Sequence, residues 1–381
     1  MNHTPAPSLA GYRVAVTSAR RARELCTLLH RHGATVASAA AITMVALSDD
    51  DELRRNTEAL VADPPDIVIA TTGVGFRGWI AAADGWGLAD RLTAALSRAR
   101  IVARGPKATG ALRAAGLREE WPPESESSRE VSRYLRDFGI SGCRIAVQLH
   151  GASKDWDPFP EFLDELRSAG AELVPIRVYR WNPAPIGGEF DQLIRQIALR
   201  EFDAVSFTSA PAVAATLMRA ADLRISGQLL DALRSDVRAM CVGPVTAQPL
   251  VRLEVPTSWP ERMRLVALAR HIAEELPVLR SRTLRAAGHR IEIRGSCVLI
   301  DDAVQSLSPA TMAILRALTH RPGFVVARSE LLRALPGSAS DPHAVDTAVL
   351  RLRKALGDRG IVATVVKRGY RLAIDETSGM T

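Results

Sequence analysis

The sequence predicts an α/β chain: two lobes, each a parallel sheet under helical covers, followed by a smaller basic domain of different build. Three observations predict it. Through the first 277 of 381 residues, short apolar runs alternate with helical patterns of ~10–15 residues, the cadence of βα units. Two pairs of segments within that stretch echo each other. After Pro277 the cadence stops, and the net charge of +7 gathers beyond it.

Residues 13–17 read as a strand, followed by a helix to about His32, with Gly33 as its stop and a second strand near 36–44. The cadence recurs with strands at 66–71, 101–103, 144–149, 173–178, 204–208 and 240–242. So many units imply two sheets rather than one. Two stretches read as connectors: Trp121-Pro122-Pro123-Glu124-Ser125-Glu126 as a surface loop, and Trp181-Asn182-Pro183-Ala184-Pro185-Ile186-Gly187-Gly188 as a hinge. The echo pairs Ile69-Ala70-Thr71-Thr72-Gly73-Val74 with Ser206-Phe207-Thr208-Ser209-Ala210-Pro211-Ala212-Val213, and Val102-Ala103-Arg104-Gly105-Pro106 with Cys241-Val242-Gly243-Pro244. Two lobes built on one plan account for it.

Gly73-Val74-Gly75-Phe76-Arg77-Gly78 is formally G-x-G-x-x-G. It does not belong to the first βα unit, and no acidic residue closes a strand ~20 residues later, so a glycine-rich turn opening a helix is expected instead of a dinucleotide site. No P-loop, H-E-x-x-H or G-x-S-x-G occurs, which leaves the common nucleotide-hydrolysing and hydrolase mechanisms without support.

With 47% apolar and 24% charged residues the composition excludes a disordered chain. Apolar runs such as 67–71 fall far short of the ~20 residues of a spanning helix, so no membrane partner is expected. Cys26, Cys143, Cys241 and Cys297 are scattered without C-x-x-C or a histidine cluster. They read as buried thiols in a reducing cytosol, with no metal and no cofactor. The opening Met1-Asn2-His3-Thr4-Pro5 lacks a basic-then-apolar region, and a cytoplasmic location is expected. Residues 1–277 carry 33 basic and 33 acidic side chains, whereas 278–376 carry 16 and 9. A neutral body with a basic end marks a nucleic-acid module.

In that end, 278–286 reads as a short basic linker and 289–305 as a small antiparallel sheet with turns at Gly295 and Asp301-Asp302. Ser308-Pro309 caps a helix through Leu318, Pro322-Gly323 stops it, and Arg328-Ser329-Glu330-Leu331-Leu332 opens a second. A third helix begins near Asp341-Pro342, with Val345, Ala348, Val349, Leu352 and Leu356 on one face and His343, Thr347, Leu350, Arg351 and Lys354 opposite. A hairpin follows: 362–366, a basic tip at Lys367-Arg368-Gly369, then 370–374. Between Arg351 and Arg371 stand seven basic residues and one acidic, Asp358. Such a helix suits the major groove and such a tip the groove beside it.

Residues 287–376 resemble the OmpR/PhoB-type winged helix-turn-helix domain of response regulators. The resemblance is carried by Leu307-Ser308, Pro322-Gly323-Phe324-Val325-Val326, Arg328-Ser329-Glu330-Leu331-Leu332, Val345-Asp346, Arg351-Leu352-Arg353-Lys354-Ala355-Leu356-Gly357 and Gly369-Tyr370-Arg371. It implies a recognition helix at 341–356 and a wing spanning 364–371. Double-stranded DNA is then the partner, met by His343, Thr347, Arg351, Arg353, Lys354, Thr364, Lys367, Arg368 and Tyr370. At Val366, where that family often has arginine, Lys367 or Arg368 would substitute. The family's receiver domain does not precede it: residues 14–16 run into Thr17-Ser18-Ala19 without an acidic pair, and Asp49-Asp50-Asp51 reads as a loop opening the Glu52 helix.

Residues 9–277 resemble uroporphyrinogen-III synthase. The carriers are Leu9-Ala10-Gly11-Tyr12-Arg13-Val14-Ala15-Val16-Thr17, Leu28-Leu29, Gly33-Ala34-Thr35-Val36, the 66–74 and 162–173 stretches, Val178-Tyr179, Phe207-Thr208-Ser209, Val242-Gly243-Pro244-Val245-Thr246-Ala247 and Val255-Pro256-Thr257. The resemblance implies lobe 1 at about 9–44 and 182–277, lobe 2 at about 47–178, and a cleft between them that takes an anionic small molecule or linear tetrapyrrole. Candidate cleft residues are Thr17, Ser18, Arg20, Thr72, Gly73, Ser209, Gly243, Pro244, Val245, Pro256 and Thr257. Tyr179 matches the tyrosine that assists loss of the substrate's terminal hydroxyl, and Thr246 belongs to the matching catalytic loop. Where the family has Thr-Arg, this chain has Thr17-Ser18-Ala19-Arg20; Arg20 or Arg21 would replace the lost cation, although an arginine displaced by two residues on a helix points elsewhere.

Three readings follow. The first is a transcription regulator with a synthase-like sensor, similar to actinobacterial regulators of nitrate and nitrite assimilation, with which the Ala/Arg-rich composition is compatible. Siroheme, the nitrite reductase cofactor, descends from uroporphyrinogen III. The second is an active synthase with an attached regulatory domain. The third is a scaffold that recruits another transcription regulator.

Overall fold

The computed structural model describes residues 7–47, 50–121, 128–149, 151, 161–336 and 343–375. The opening residues, Asp49, the Pro122–Glu126 part of the expected loop, and Asp341-Pro342 lie outside them. The chain starts lobe 1 with β1 (Arg13–Val16), α1 (Ala22–Arg31) and β2 (Thr35–Ser38). It then crosses through β3 (Ile42–Ala46). Lobe 2 follows as α2 (Asp51–Ala62), β4 (Ile67–Ala70), α3 (Gly73–Gly85), α4 (Ala89–Leu96), β5 (Arg100–Ala103), α5 (Pro106–Ala114), α6 (Ser128–Phe138), β6 (Arg144–Gln148), α7 (Phe162–Ser168) and β7 (Glu172–Ile176). The return crossing is β8 (Tyr179–Pro183), and lobe 1 is completed by α8 (Glu189–Ala198), β9 (Ala204–Phe207), α9 (Ala210–Asp222), α10 (Ser226–Ser235), β10 (Arg238–Cys241), α11 (Pro244–Val251), β11 (Thr257–Ser258) and α12 (Leu265–Arg280).

Lobe 1 holds the parallel order β11-β10-β9-β1-β2 and lobe 2 the parallel order β5-β4-β6-β7. Their central strands are buried at every position because helices cover both faces. The sequence echo is structural: β4–α3 corresponds to β9–α9, and β5–α5 to β10–α11. Thr72 and Ser209 each accept from the amide three residues on, at the start of α3 and α9. Gly105 and Gly243 both precede a proline in the first turn of their helices, in extended backbone.

The apolar run at 36–44 is two strands, not one. β2 belongs to lobe 1, whereas β3 pairs antiparallel with β8, Ile42 opposite Pro183 and Ala46 opposite Tyr179. The break between them, Ala39-Ala40-Ala41, is itself apolar and largely buried, so no turn residue marks the change of sheet. The expected hinge therefore begins as a strand, β8, and Trp181 packs against the cores of both lobes.

The expected linker at 278–286 is absent as such. α12 is held on lobe 1 by the buried stripe Leu265, Leu268, Ala269, Ile272, Ala273 and Leu276 and continues through Pro277 to Arg280. A single residue, Ser281, separates it from β12 (Arg282–Ala286), the first strand of the C-terminal sheet. β13 (His289–Ile293), β14 (Cys297–Ile300) and β15 (Ala303–Ser306) complete the antiparallel order β12-β13-β14-β15. α13 (Pro309–His320), α14 (Arg328–Ala334) and α15 (His343–Ala355) pack on that sheet, and β16 (Val362–Val365) and β17 (Gly369–Leu372) form the hairpin. This is a winged helix. Cys241 and Cys297 are buried thiols, while Cys26 and Cys143 are only partly covered. Among the described residues no helix is long and apolar enough to cross a membrane.

Candidate functional site

Tyr179 sits at the start of β8, where the chain leaves lobe 2. Its ring is buried, and its hydroxyl lies 3.2 Å from Thr72 Oγ1. Gln148, at the end of β6, accepts from the Thr72 amide through Oε1 at 3.0 Å. Burial holds the Tyr179 phenol above its usual value of 10, against the pull of the Thr72 hydrogen bond and the charges of Arg104 and Arg20. The phenol therefore stays protonated at neutral pH and can donate a proton or a hydrogen bond. Arg104 comes from lobe 2 and Arg20 from lobe 1. The charges of both lobes thus act on the Tyr179 phenol, and Arg20 itself is exposed.

The glycines of the 73–78 motif have a packing cause. A Cβ on Gly73 would lie 2.0 Å from the Lys107 carbonyl oxygen of α5, and one on Gly75 2.1 Å from Gln148 Nε2. Bare backbone lets α3 and α5 bring their N-termini together beside Arg104 and Lys107. Gly73→Ala is expected to cost about 1–3 kcal/mol by overpacking against fixed backbone, seen as a lowered thermal midpoint.

In lobe 1 the predicted residues divide. Thr17 is buried and donates to the Ser206 carbonyl at 2.9 Å, and Ser18 meets Thr208 Oγ1 at 2.9 Å. Both bind the β1 end to the β9 end. Gly243 and Thr246 are buried at the start of α11, while Pro244 and Val245 are exposed beside them. Pro256 is exposed and Thr257 half-buried at β11. Ser209 caps α9, accepting from the Ala212 amide. Gln148, Arg104 and Lys107 were not singled out from sequence; a lone glutamine closing an apolar strand was the available signal.

The second site is the outer face of α15 and the hairpin. Val345, Ala348, Val349, Leu352 and Leu356 are buried, and His343, Thr347, Leu350, Arg351 and Lys354 point outward, as the helical spacing predicts. Val366, Lys367 and Arg368 form an exposed tip. Three of the predicted residues make contacts within the domain. Tyr370 is buried, its hydroxyl donating to Asp346 Oδ1 at 2.6 Å, with Arg328 bound to the same carboxylate at 3.0 Å. Arg353 donates to the Val362 carbonyl at 2.9 Å and to Thr364 Oγ1 at 2.7 Å, so Arg353 and Thr364 fasten the hairpin to α15.

Residues 23–270 match the family model described as uroporphyrinogen-III synthase HemD. Residues 302–372 match that described as transcriptional regulatory protein, C terminal. The uncharacterized protein YjjA of Bacillus subtilis is 29% identical over 274 residues, 70% of this chain and 98% of that protein. The transcriptional regulatory protein CutR of Streptomyces coelicolor is 31% identical over 111 residues, 29% of this chain and 49% of CutR, so the match spans about half its length. A crystal structure of a mutant uroporphyrinogen III synthase from the extremely thermophilic bacterium Thermus thermophilus superposes with a TM-score of 0.60 at 29% identity, covering 70% of this chain and 98% of that one.

Proposed function

The chain belongs to the uroporphyrinogen-III synthase family, and from that premise we propose a cytoplasmic transcription regulator whose synthase-like lobes sense an anionic ligand while the winged helix binds double-stranded DNA. One observation carries the reading: Arg351, Lys354, Lys367 and Arg368 stand exposed on a single recognition helix and wing, attached to a body without net charge. Phosphate neutralisation by such a face is sequence-independent and falls with salt, while Thr347 and Arg351 are the side chains for base edges. In the cleft, the helix N-termini after Thr72, Gly105, Ser209 and Gly243 suit carboxylates, joined by Arg20 and Arg104.

The target genes we propose are those of nitrate and nitrite assimilation, because siroheme links a tetrapyrrole precursor to nitrite reduction. The test is fluorescence anisotropy of the full chain on promoter fragments preceding nitrite reductase genes, against unrelated DNA at matched salt. Selective binding is expected. Equal affinity for both DNAs would remove the proposed targets, and no binding at low salt would remove the regulator.

A second reading, retained synthase activity, is favoured by the buried, protonated Tyr179 phenol hydrogen-bonded to Thr72. If hydroxymethylbilane is converted to the type III isomer, Tyr179→Phe is expected to slow it ~10²-fold or more by loss of a general acid. Conversion with no Tyr179 dependence would count against this role.

A further inference from the structure

The winged helix is joined to lobe 1 twice. The covalent joint is Ser281 alone, between a helix packed into the lobe 1 core and the first strand of the C-terminal sheet. The second joint is the β13–β14 turn, set against the segment that leads into β1. Ser296 donates to the Gly11 carbonyl through its amide at 2.6 Å and through its hydroxyl at 2.9 Å. Arg294, nearly buried, donates to the carbonyls of Pro7 and Ser8 at 3.2 Å each while Glu292 holds its Nε at 2.7 Å. Cys297 Sγ lies 3.4 Å from the Ala10 carbonyl oxygen.

Two glycines permit this approach. A Cβ on Gly11 would lie 2.3 Å from Cys297 Sγ, and Gly11 has a φ of 82° that favours glycine in any case. Gly295 differs, because its φ is outside the positive range. A Cβ there would meet the Asp203 carboxylate and the Gly11 carbonyl oxygen, each at 2.5 Å, and its three nearest atoms all belong to lobe 1. Gly295 is thus required by docking and not by its own turn. The DNA-facing residues of α15 and the hairpin remain exposed in this docked state.

We infer that lobe 1 and the winged helix form one rigid arm, locked at the Gly11–Gly295 contact, so that the DNA-binding face is held in a fixed orientation to lobe 1. The lock itself requires only the fold; its bearing on DNA rests on the regulator reading.

The test is amide hydrogen exchange on the full chain. The Ser296 amide is expected to exchange at least ~100-fold more slowly than an unstructured amide, as slowly as the Asp203 amide inside lobe 1. In Gly295→Val it should return to within tenfold of the unstructured rate, with the Val326 and Tyr370 amides, which bond to each other's carbonyls within the winged helix, unchanged. Should those also lose protection, Gly295→Ala repeats the measurement with a single methyl against the same two atoms. An unprotected Ser296 amide in the unmodified chain, or protection that survives both substitutions, overturns the arm. Absence of DNA binding would count against the regulator and leave this result standing.

Discussion

Arg219→Ala is expected to destabilise the chain by about 3–5 kcal/mol, the usual consequence of removing one partner from a buried ion pair. Arg219 on α9 and Asp191 on α8 are both almost fully buried, 2.5 Å apart. The same guanidinium donates to the carbonyls of Ala184 and Pro185, which follow β8, and Asp191 also accepts from the Gly187 amide. One cation thus fixes the return crossing to lobe 1. Alanine would leave the buried Asp191 carboxylate without its counter-charge, with the Gly187 amide still donating to it, and two carbonyls without their arginine donor. Arg219→Lys keeps the charge but loses the fork that reaches several acceptors, so an intermediate loss is expected. Denaturant unfolding with the midpoint and slope both recorded reads this directly. A loss under ~1 kcal/mol for the alanine variant, far below the range for a broken buried pair, would mean that the crossing is held by packing alone.

That crossing is also where the sequence is hardest to read. The strands of both sheets are legible because each is a short apolar run closed by a turn, and the echo between lobes survives as matching caps at Thr72 and Ser209. The outward face of α15 follows from helical spacing alone. The turn residues around Pro183 and Pro185, by contrast, resemble a free loop, since nothing local reveals that Arg219, more than 30 positions later, is their partner. Pro277 resembles a helix stop because a proline inside a helix removes a backbone bond, and nothing local shows that α12 continues to Arg280. Charge and motif alone mark Arg353 and Tyr370 as DNA contacts. Spacing already places Arg353 about 80° from Val345 around the helix, nearer the core than the outer face.

The same geometry separates the basic residues by their expected effect on DNA. Arg351 is exposed on the outer side of α15. Arg351→Ala in the full chain is expected to weaken binding to a specific site by about 1–3 kcal/mol, roughly tenfold to 100-fold, and to relax preference at the base pair it reads. Lys367→Ala and Arg368→Ala at the tip should act differently. Each should weaken all sequences alike and lower the slope of log affinity against log salt by about one, the mark of a lost phosphate contact. Arg353→Ala should show a third pattern, because it releases the β16 carbonyl of Val362 and Thr364 together. Its loss in affinity should come with faster amide exchange in the hairpin, which the other three variants leave unchanged. Anisotropy titrations at several salt concentrations distinguish these outcomes. If Arg351→Ala changed only the salt slope, α15 would be lying along the backbone and not in the groove. Base reading would then fall to the wing.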